Sequence, residues 1–329
     1  MSPDAPAPTG PPPDPFAVPS FLAPPGRVAD WRLVLVLDAA RATGLLDALP
    51  ATPGDAADRL GLAPQPVRAV LDTLVDAGVL TAAADGTVGR GPRFPDDDTA
   101  AQLRQHASTL RRWATTLEDR LRGVEQPARG PFDLRSWLAS MAAAAAGRAE
   151  AVADVALDGF PAGGAGGAIE AIDLGGGHGR YAAALAGRGA HVVLQDRPDV
   201  IGVVRTEGWL DGTGVRLVAG DVHDVLPDGP FDVVLAVGLL HTMGPERVAS
   251  LLRRVGARMR PDGVVVIGTT VRGRGPSSAL FAVQMAVSGQ GGDTHGLDDY
   301  RRWLHDAGFG PPEVHDLAGT TILRSRFGG

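Results

Sequence analysis

At 329 residues, 44% of them hydrophobic, the chain is long enough for two domains and a sizeable core. A net charge of -7 excludes the broad basic surface that holds nucleic acid non-specifically, and the absence of cysteine excludes disulfides and thiolate zinc sites and suits a reducing cytoplasm. There is neither an apolar run of about eighteen residues nor a charged segment leading into an apolar one, so a soluble cytoplasmic protein with no membrane or nucleic-acid partner is expected.

Residues 1–26 are rich in proline and alanine, which build no core, and are expected to form a disordered tail. Residues 27–98 have the pattern of a small helical domain. An apolar helix is expected over Leu33 to Leu49, and a second opens at Thr52 as N-cap, with Pro53 at the first helical position and Asp55 favourable to the helix dipole. A third places Val67, Val70, Leu71 and Leu74 on one face before Gly78 ends it, and a hairpin follows with Asp85-Gly86 at its turn. Three helices and a hairpin describe a winged helix. Its third helix carries Arg68 against Asp72 and Asp76, however, and its wing carries Asp85 against Arg90, a balance unsuited to phosphates. A dimerisation or substrate-lid role is expected instead. Residues 99–164 are expected to form a helical linker of two or three helices, with Trp113, Trp137 and Met141 either packed in an interface or lining a pocket.

From residue 165 to 329 the periodicity alternates. The segments AIDL, HVVLQ, VRLVA, FDVVLAVG and GVVVIGTT are short and rich in β-branched residues, and helical patterns separate most of them. This predicts a Rossmann-like α/β fold, a mostly parallel sheet covered on both faces whose ligand lies at the carboxyl ends of the strands. PEVHDLAGTTILRSRF supplies two closing strands, for a total of seven.

The first strand runs into AIDLGGGHGRYAAALAG, from Ala171 to Gly187. Glycines there let the chain turn tightly and let a ligand approach the backbone at a helix N-terminus. Nicotinamide and flavin proteins use similar first turns, but Gly175-x-Gly177-x-Gly179 is not a strict G-x-G-x-x-G. The second strand ends at Asp196, placed to accept hydrogen bonds from ribose hydroxyls, and the third at Gly220-Asp221, a second acid suited to an adenine amino group.

Glycines, Asp196 and Asp221 on three consecutive strand ends resemble a class I S-adenosylmethionine-dependent methyltransferase. With the winged-helix front end, the chain is similar over about Ala29 to Gly329 to the dimeric small-molecule O-methyltransferases of the caffeate, hydroxyindole and antibiotic-tailoring type. The resemblance implies that Asp173, Gly175, Gly177, Asp196, Arg197, Gly220, Asp221 and Val222 hold S-adenosylmethionine and release S-adenosylhomocysteine, and that the N-terminal domain makes a homodimer.

His241, after the fourth strand, falls where the family places the histidine that deprotonates the acceptor hydroxyl. A neutral imidazole suits that task near pH 7. The helical insertion SSALFAVQMAVSG falls where the family builds its acceptor pocket; Phe281, Gln284 and Met285 are candidates to line it, with Trp137, Met141 and His295 from elsewhere. The chain departs from the family pattern around the base. Thr242-Met243 stand in place of Asp-Trp, Gly268, Thr269 and Thr270 in place of an acid, and Thr294 and His295 near a second acid. Three alternatives therefore stay open: metal-assisted C-methylation through His241, His295 and Asp293, N-methylation, and a tailoring or binding protein that keeps only the cofactor fold. No resident metal is expected under the leading reading.

Overall fold

The computed structural model describes residues 30–124, 133–160, 167–274, 278–288, 291–317 and 319–328. The expected tail, residues 1–26, lies outside them, as do residues 161–166 of the glycine-rich segment ahead of the sheet. The chain forms two compact units, one ending at Leu110 and the other beginning at Arg111.

In the first unit, helices α1 (Trp31–Ala42), α2 (Pro53–Leu60) and α3 (Pro64–Asp76) precede a hairpin of β1 (Leu80–Ala82) and β2 (Val88–Arg90). The Thr52 side chain accepts the Asp55 N–H at 3.2 Å, and Gly61 closes α2 in the left-handed conformation. Leu33, Val34, Leu37, Val67, Leu71 and Leu74 share one core with Leu80 and Val88. Helix α1 ends at Ala42, seven residues before its expected end. Thr43 caps it and Gly44 takes a φ of 74°, which stops the helix, while Leu45 and Leu46 continue the apolar pattern from turns. Helix α4 (Asp97–Leu121) crosses the boundary between the units.

The second unit adds α5 (Leu134–Ala145) and α6 (Ala149–Leu157), then alternates β3 (Glu170–Leu174), α7 (Arg180–Ala186), β4 (His191–Asp196), α8 (Pro198–Glu207), β5 (Arg216–Ala219), β6 (Phe231–Val237), α9 (Pro245–Gly256) and β7 (Met259–Thr269). Helices α10 (Ser278–Ser288) and α11 (Leu297–Asp306) precede the closing strands β8 (Glu313–Leu317) and β9 (Thr320–Arg326). The seven strands lie in the order β5-β4-β3-β6-β7-β9-β8, parallel from β5 to β7, with β9 and β8 antiparallel at the edge.

Period-two alternation divides the core between the two faces of this sheet. Ala171, Val192, Leu194, Val233, Leu235, Val264 and Val266 pack with α6, α7 and α8, while Ile172, Leu174, Val193, Val234, Val265 and Ile267 pack with α9 and α11. Because both faces are buried, the strands read as continuous apolar runs. The chain moves outward from β3 to β5 and returns to β6 on the other side of β3. This topological switch opens a crevice at the carboxyl ends of β3 and β6. Among the described residues no helix is long and apolar enough to cross a membrane.

Candidate functional site

Directly after β3, Gly175, Gly177 and Gly179 take φ of 62°, 52° and 77°, conformations that side-chain-bearing residues rarely adopt. Space is short as well. A Cβ on Gly175 would come within 2.8 Å of Leu239 Cδ1, and one on Gly179 within 2.7 Å of Leu210 Cδ1. The turn is bare backbone because the chain has to fold back between its neighbours on its way into α7.

Asp196 ends β4 beside this turn. Its Oδ2 accepts the Gly177 N–H at 2.8 Å and its Oδ1 the Arg197 N–H at 2.7 Å. Two of the roughly four acceptor positions of a carboxylate are thereby used, and the rest stay available for hydroxyls. Burial raises its pKa, opposed by the two backbone N–H groups. Arg197 is exposed and paired with Asp199 at 2.7 Å, so it borders the site through its backbone. The three strand ends are tied to one another. The Gly175 N–H donates to the Gln195 carbonyl at 2.8 Å, the Gly220 N–H to the Asp196 carbonyl at 2.9 Å, and Gln195 Nε2 to the Gly220 carbonyl at 2.5 Å. Gly220 is buried, and a Cβ there would meet Val225. Asp221 is exposed, its Oδ1 accepting the His223 N–H at 2.8 Å, and Val222 is buried beside it.

Asp173 is placed differently from its neighbours. It is 1% exposed, its Oδ2 has no hydrogen-bond partner, and a Cβ on Gly176 would lie 2.8 Å from that oxygen. Burial, reinforced by the charge of Asp196, pushes its pKa up to about 8, although it accepts the Ala182 N–H. This carboxyl sits under the glycine turn and holds its proton at neutral pH.

On the β6 side of the crevice, His241 lies in the single 3-10 turn Leu240–Thr242. The residue is partly buried, and its Nδ1 is hidden from solvent with no hydrogen-bond partner. Burial, together with the proximity of His295, lowers its pKa to about 4, so the imidazole is neutral at pH 7. Phe281 of α10 meets it edge-on, ring centroids 4.7 Å apart. The Asp293 N–H donates to the His241 carbonyl at 3.0 Å, which pins the segment before α11 against the turn. Met285 lies one helical turn beyond Phe281 and is buried.

The other expected pocket residues divide. Trp137 packs against the core under α7, and Met141, four residues on along α5, is partly buried. His295 is 3% exposed, lies 5.0 Å from the Trp303 ring and 6.0 Å from that of Tyr300, and directs Nε2 at the Met243 carbonyl, 3.0 Å away. A carbonyl only accepts, so Nε2 carries the proton and is closed to a metal. Asp293 is held by Arg272 at 2.5 Å. No group of three or more potential metal ligands occurs among the described residues, and the metal-assisted reading is not favoured. Sequence reasoning missed two features: the hydrogen bond from Trp113 Nε1 to Gln284 Oε1 at 2.5 Å, and the part of Gln195 in joining two strand ends.

A glycine turn bonded to an acid on the next strand, at the switch point of a mostly parallel seven-stranded sheet, has the layout of a Rossmann-like methyltransferase fold. Residues 172–267 match the model of the methyltransferase domain family. Of characterised proteins, the mitomycin biosynthesis 6-O-methyltransferase of Streptomyces lavendulae is 32% identical over 149 residues, 43% of this chain and 42% of its own length. The chain thus spans less than half the length of the curated relatives it matches. The fold extends further. The structure of the mitomycin 7-O-methyltransferase superposes with a TM-score of 0.72 at 21% identity, covering 90% of this chain and 94% of that one. That of human N-acetylserotonin methyltransferase in complex with SAM does so with a TM-score of 0.72 at 18% identity, covering 91% and 95%.

Proposed function

We propose that the chain is an S-adenosylmethionine-dependent O-methyltransferase acting on a small molecule in specialised, antibiotic-type metabolism. The observation that carries this reading is Asp196, anchored to the glycine turn by the Gly177 N–H with acceptor capacity to spare, across the switch point from a neutral His241. The residues fit the cofactor. Gly175 and Gly177 would border its methionine portion, with Asp173 sealed beneath them rather than in contact with it, Asp196 would accept from the ribose, and Gly220, Asp221 and Val222 would border the adenine, with Arg197 at the rim.

When bound, S-adenosylmethionine supplies a methyl group on a sulfonium, an electrophile that leaves a neutral thioether, S-adenosylhomocysteine. His241 would take the proton of the acceptor hydroxyl, and Phe281, which meets the imidazole edge-on, would hold it in place. The rest of the rate enhancement comes from orientation. In this reading residues 27–98 form a winged-helix dimerisation domain, residues 99–164 a helical linker that contributes to the acceptor pocket, and residues 165–329 the cofactor domain, in a cytoplasmic homodimer. Calorimetric titration with S-adenosylmethionine, followed by transfer of a labelled methyl group to a panel of hydroxyl, amine and α-keto acid acceptors, tests the reading. We expect saturable cofactor binding and label on oxygen; failure to bind the cofactor, or label on nitrogen or carbon alone, refutes it.

A further inference from the structure

Helix α10, whose Phe281 meets His241, carries a polar side chain that the proposed proton transfer does not use. Gln284 lies on α10 one turn beyond Phe281, on the same helix face, and is only 7% exposed. Its amide has a fixed orientation. An indole N–H only donates, so the 2.5 Å contact with Trp113 Nε1 has to engage the amide oxygen, which turns the NH2 group away. That Nε2 has no hydrogen-bond partner among the described residues, yet it is not among the polar atoms sealed from solvent. A side chain more than nine-tenths buried thus presents two free donors through its remaining opening. Those donors would meet water through the opening, and a ligand that displaces the water has to supply an acceptor atom in its place.

We propose that Gln284, positioned by Trp113, donates from Nε2 to a carbonyl oxygen of the methyl acceptor, so that the preferred substrate is a hydroxyl compound with a carbonyl on the same ring system. The inference rests on the methyltransferase reading and specifies its substrate class. The i, i+3 spacing from Phe281, which touches His241, puts the donor about 5 Å along the helix, roughly the width of one ring. The chemistry of the base agrees. An imidazole that is protonated only near pH 4 is weak against an ordinary phenol of pKa about 10, whereas conjugation to a carbonyl makes a hydroxyl far more acidic.

The test is equilibrium binding, by calorimetry with S-adenosylhomocysteine present, of two acceptors of the same ring size: a hydroxynaphthoquinone and a naphthol. Wild type is expected to bind the quinone about tenfold more tightly, the scale of one buried hydrogen bond. Gln284→Met, similar in size but without donors, is expected to bring the ratio to about one while S-adenosylhomocysteine affinity stays at its wild-type value. Trp113→Phe, which frees the amide to rotate, is expected to give an intermediate ratio, an effect that a purely structural tryptophan would not have. Equal affinities in wild type, binding of neither acceptor, or a ratio that survives in Gln284→Met overturns the proposal. Failure of the underlying reading is distinct, because it appears as absence of S-adenosylhomocysteine binding in wild type.

Discussion

Replacing Asp173 by Asn is expected to make the ligand-free protein more stable, by an amount that grows with pH. The side chain is 1% exposed and its Oδ2 has no partner, so ionisation inside the fold is resisted and the folded pKa is about 8, against about 3.9 in an unfolded chain. A carboxyl with a raised folded pKa keeps its proton in the folded state after the unfolded chain has released it. Stability therefore falls as pH climbs from about 4 to about 8. Between pH 5 and pH 8 this spans nearly three units at about 1.4 kcal/mol each, or roughly 3–4 kcal/mol, which Asn escapes because it mimics the protonated acid in shape and charge. Urea unfolding of wild type and Asp173→Asn at both pH values isolates the ionisation of Asp173 together with its coupling to Asp196, since groups that do not interact with Asp173 cancel in the double difference. A stability difference between the two proteins that changes by less than about 0.5 kcal/mol across this range would refute the account of Asp173 as a carboxyl kept neutral by burial.

Gly176→Ala brings a Cβ to 2.7 Å from Leu194 Cγ and 2.8 Å from Asp173 Oδ2, and is expected to lower stability by about 1–3 kcal/mol, read as a lower Tm; an unchanged Tm would mean the turn yields without cost. Asp196→Ala removes the carboxylate that fixes the Gly177 N–H and is expected to weaken S-adenosylmethionine binding about 10- to 100-fold in calorimetry while the fold persists by circular dichroism. His241→Ala is expected to lower methyl transfer about 100-fold or more without altering cofactor affinity. Its lowered pKa means that the imidazole is neutral from about pH 5 upward, so kcat/KM on a fixed acceptor is expected to fall with acid only as pH approaches about 4. A midpoint near 6.5 would place His241 in open solvent.

What was legible in the sequence was local. The caps of α2, the Asp85-Gly86 turn and the β-branched runs of the sheet are signals that a few neighbouring residues carry, and the strands fall where they were expected. Glycines with an acid at the following strand end point to a crevice because parallel topology forces those ends together. Helix α1 is shorter than its apolar pattern suggests because Leu45 and Leu46 extend a periodicity that a single positive φ at Gly44 interrupts. The environment of each titratable group was not legible. Asp173 and Asp196 are both acids at the ends of neighbouring strands, yet one is sealed beneath the turn and the other bonds it from the side. His295 reads as a candidate ligand until its Nε2 is found on the Met243 carbonyl. The Trp113–Gln284 bond joins residues 171 apart, a pairing that no local pattern encodes.

The strand order has a further consequence. The residues proposed for the cofactor hang from β3, β4 and β5, whereas His241, Phe281 and Gln284 come from the chain that follows β6 and β7. The half of the crevice that would see an invariant reagent is braced by its own hydrogen bonds, from Gly177 to Asp196 and from Gln195 to Gly220. The half that would see a variable one depends on a helix inserted between β7 and the closing strands. In the proposed reading, substrate range would drift, or be redesigned, through changes in α10 made together with its partner Trp113 on α4. The eleven residues of α10 and that one tryptophan can be exchanged without touching the ties that shape the other half.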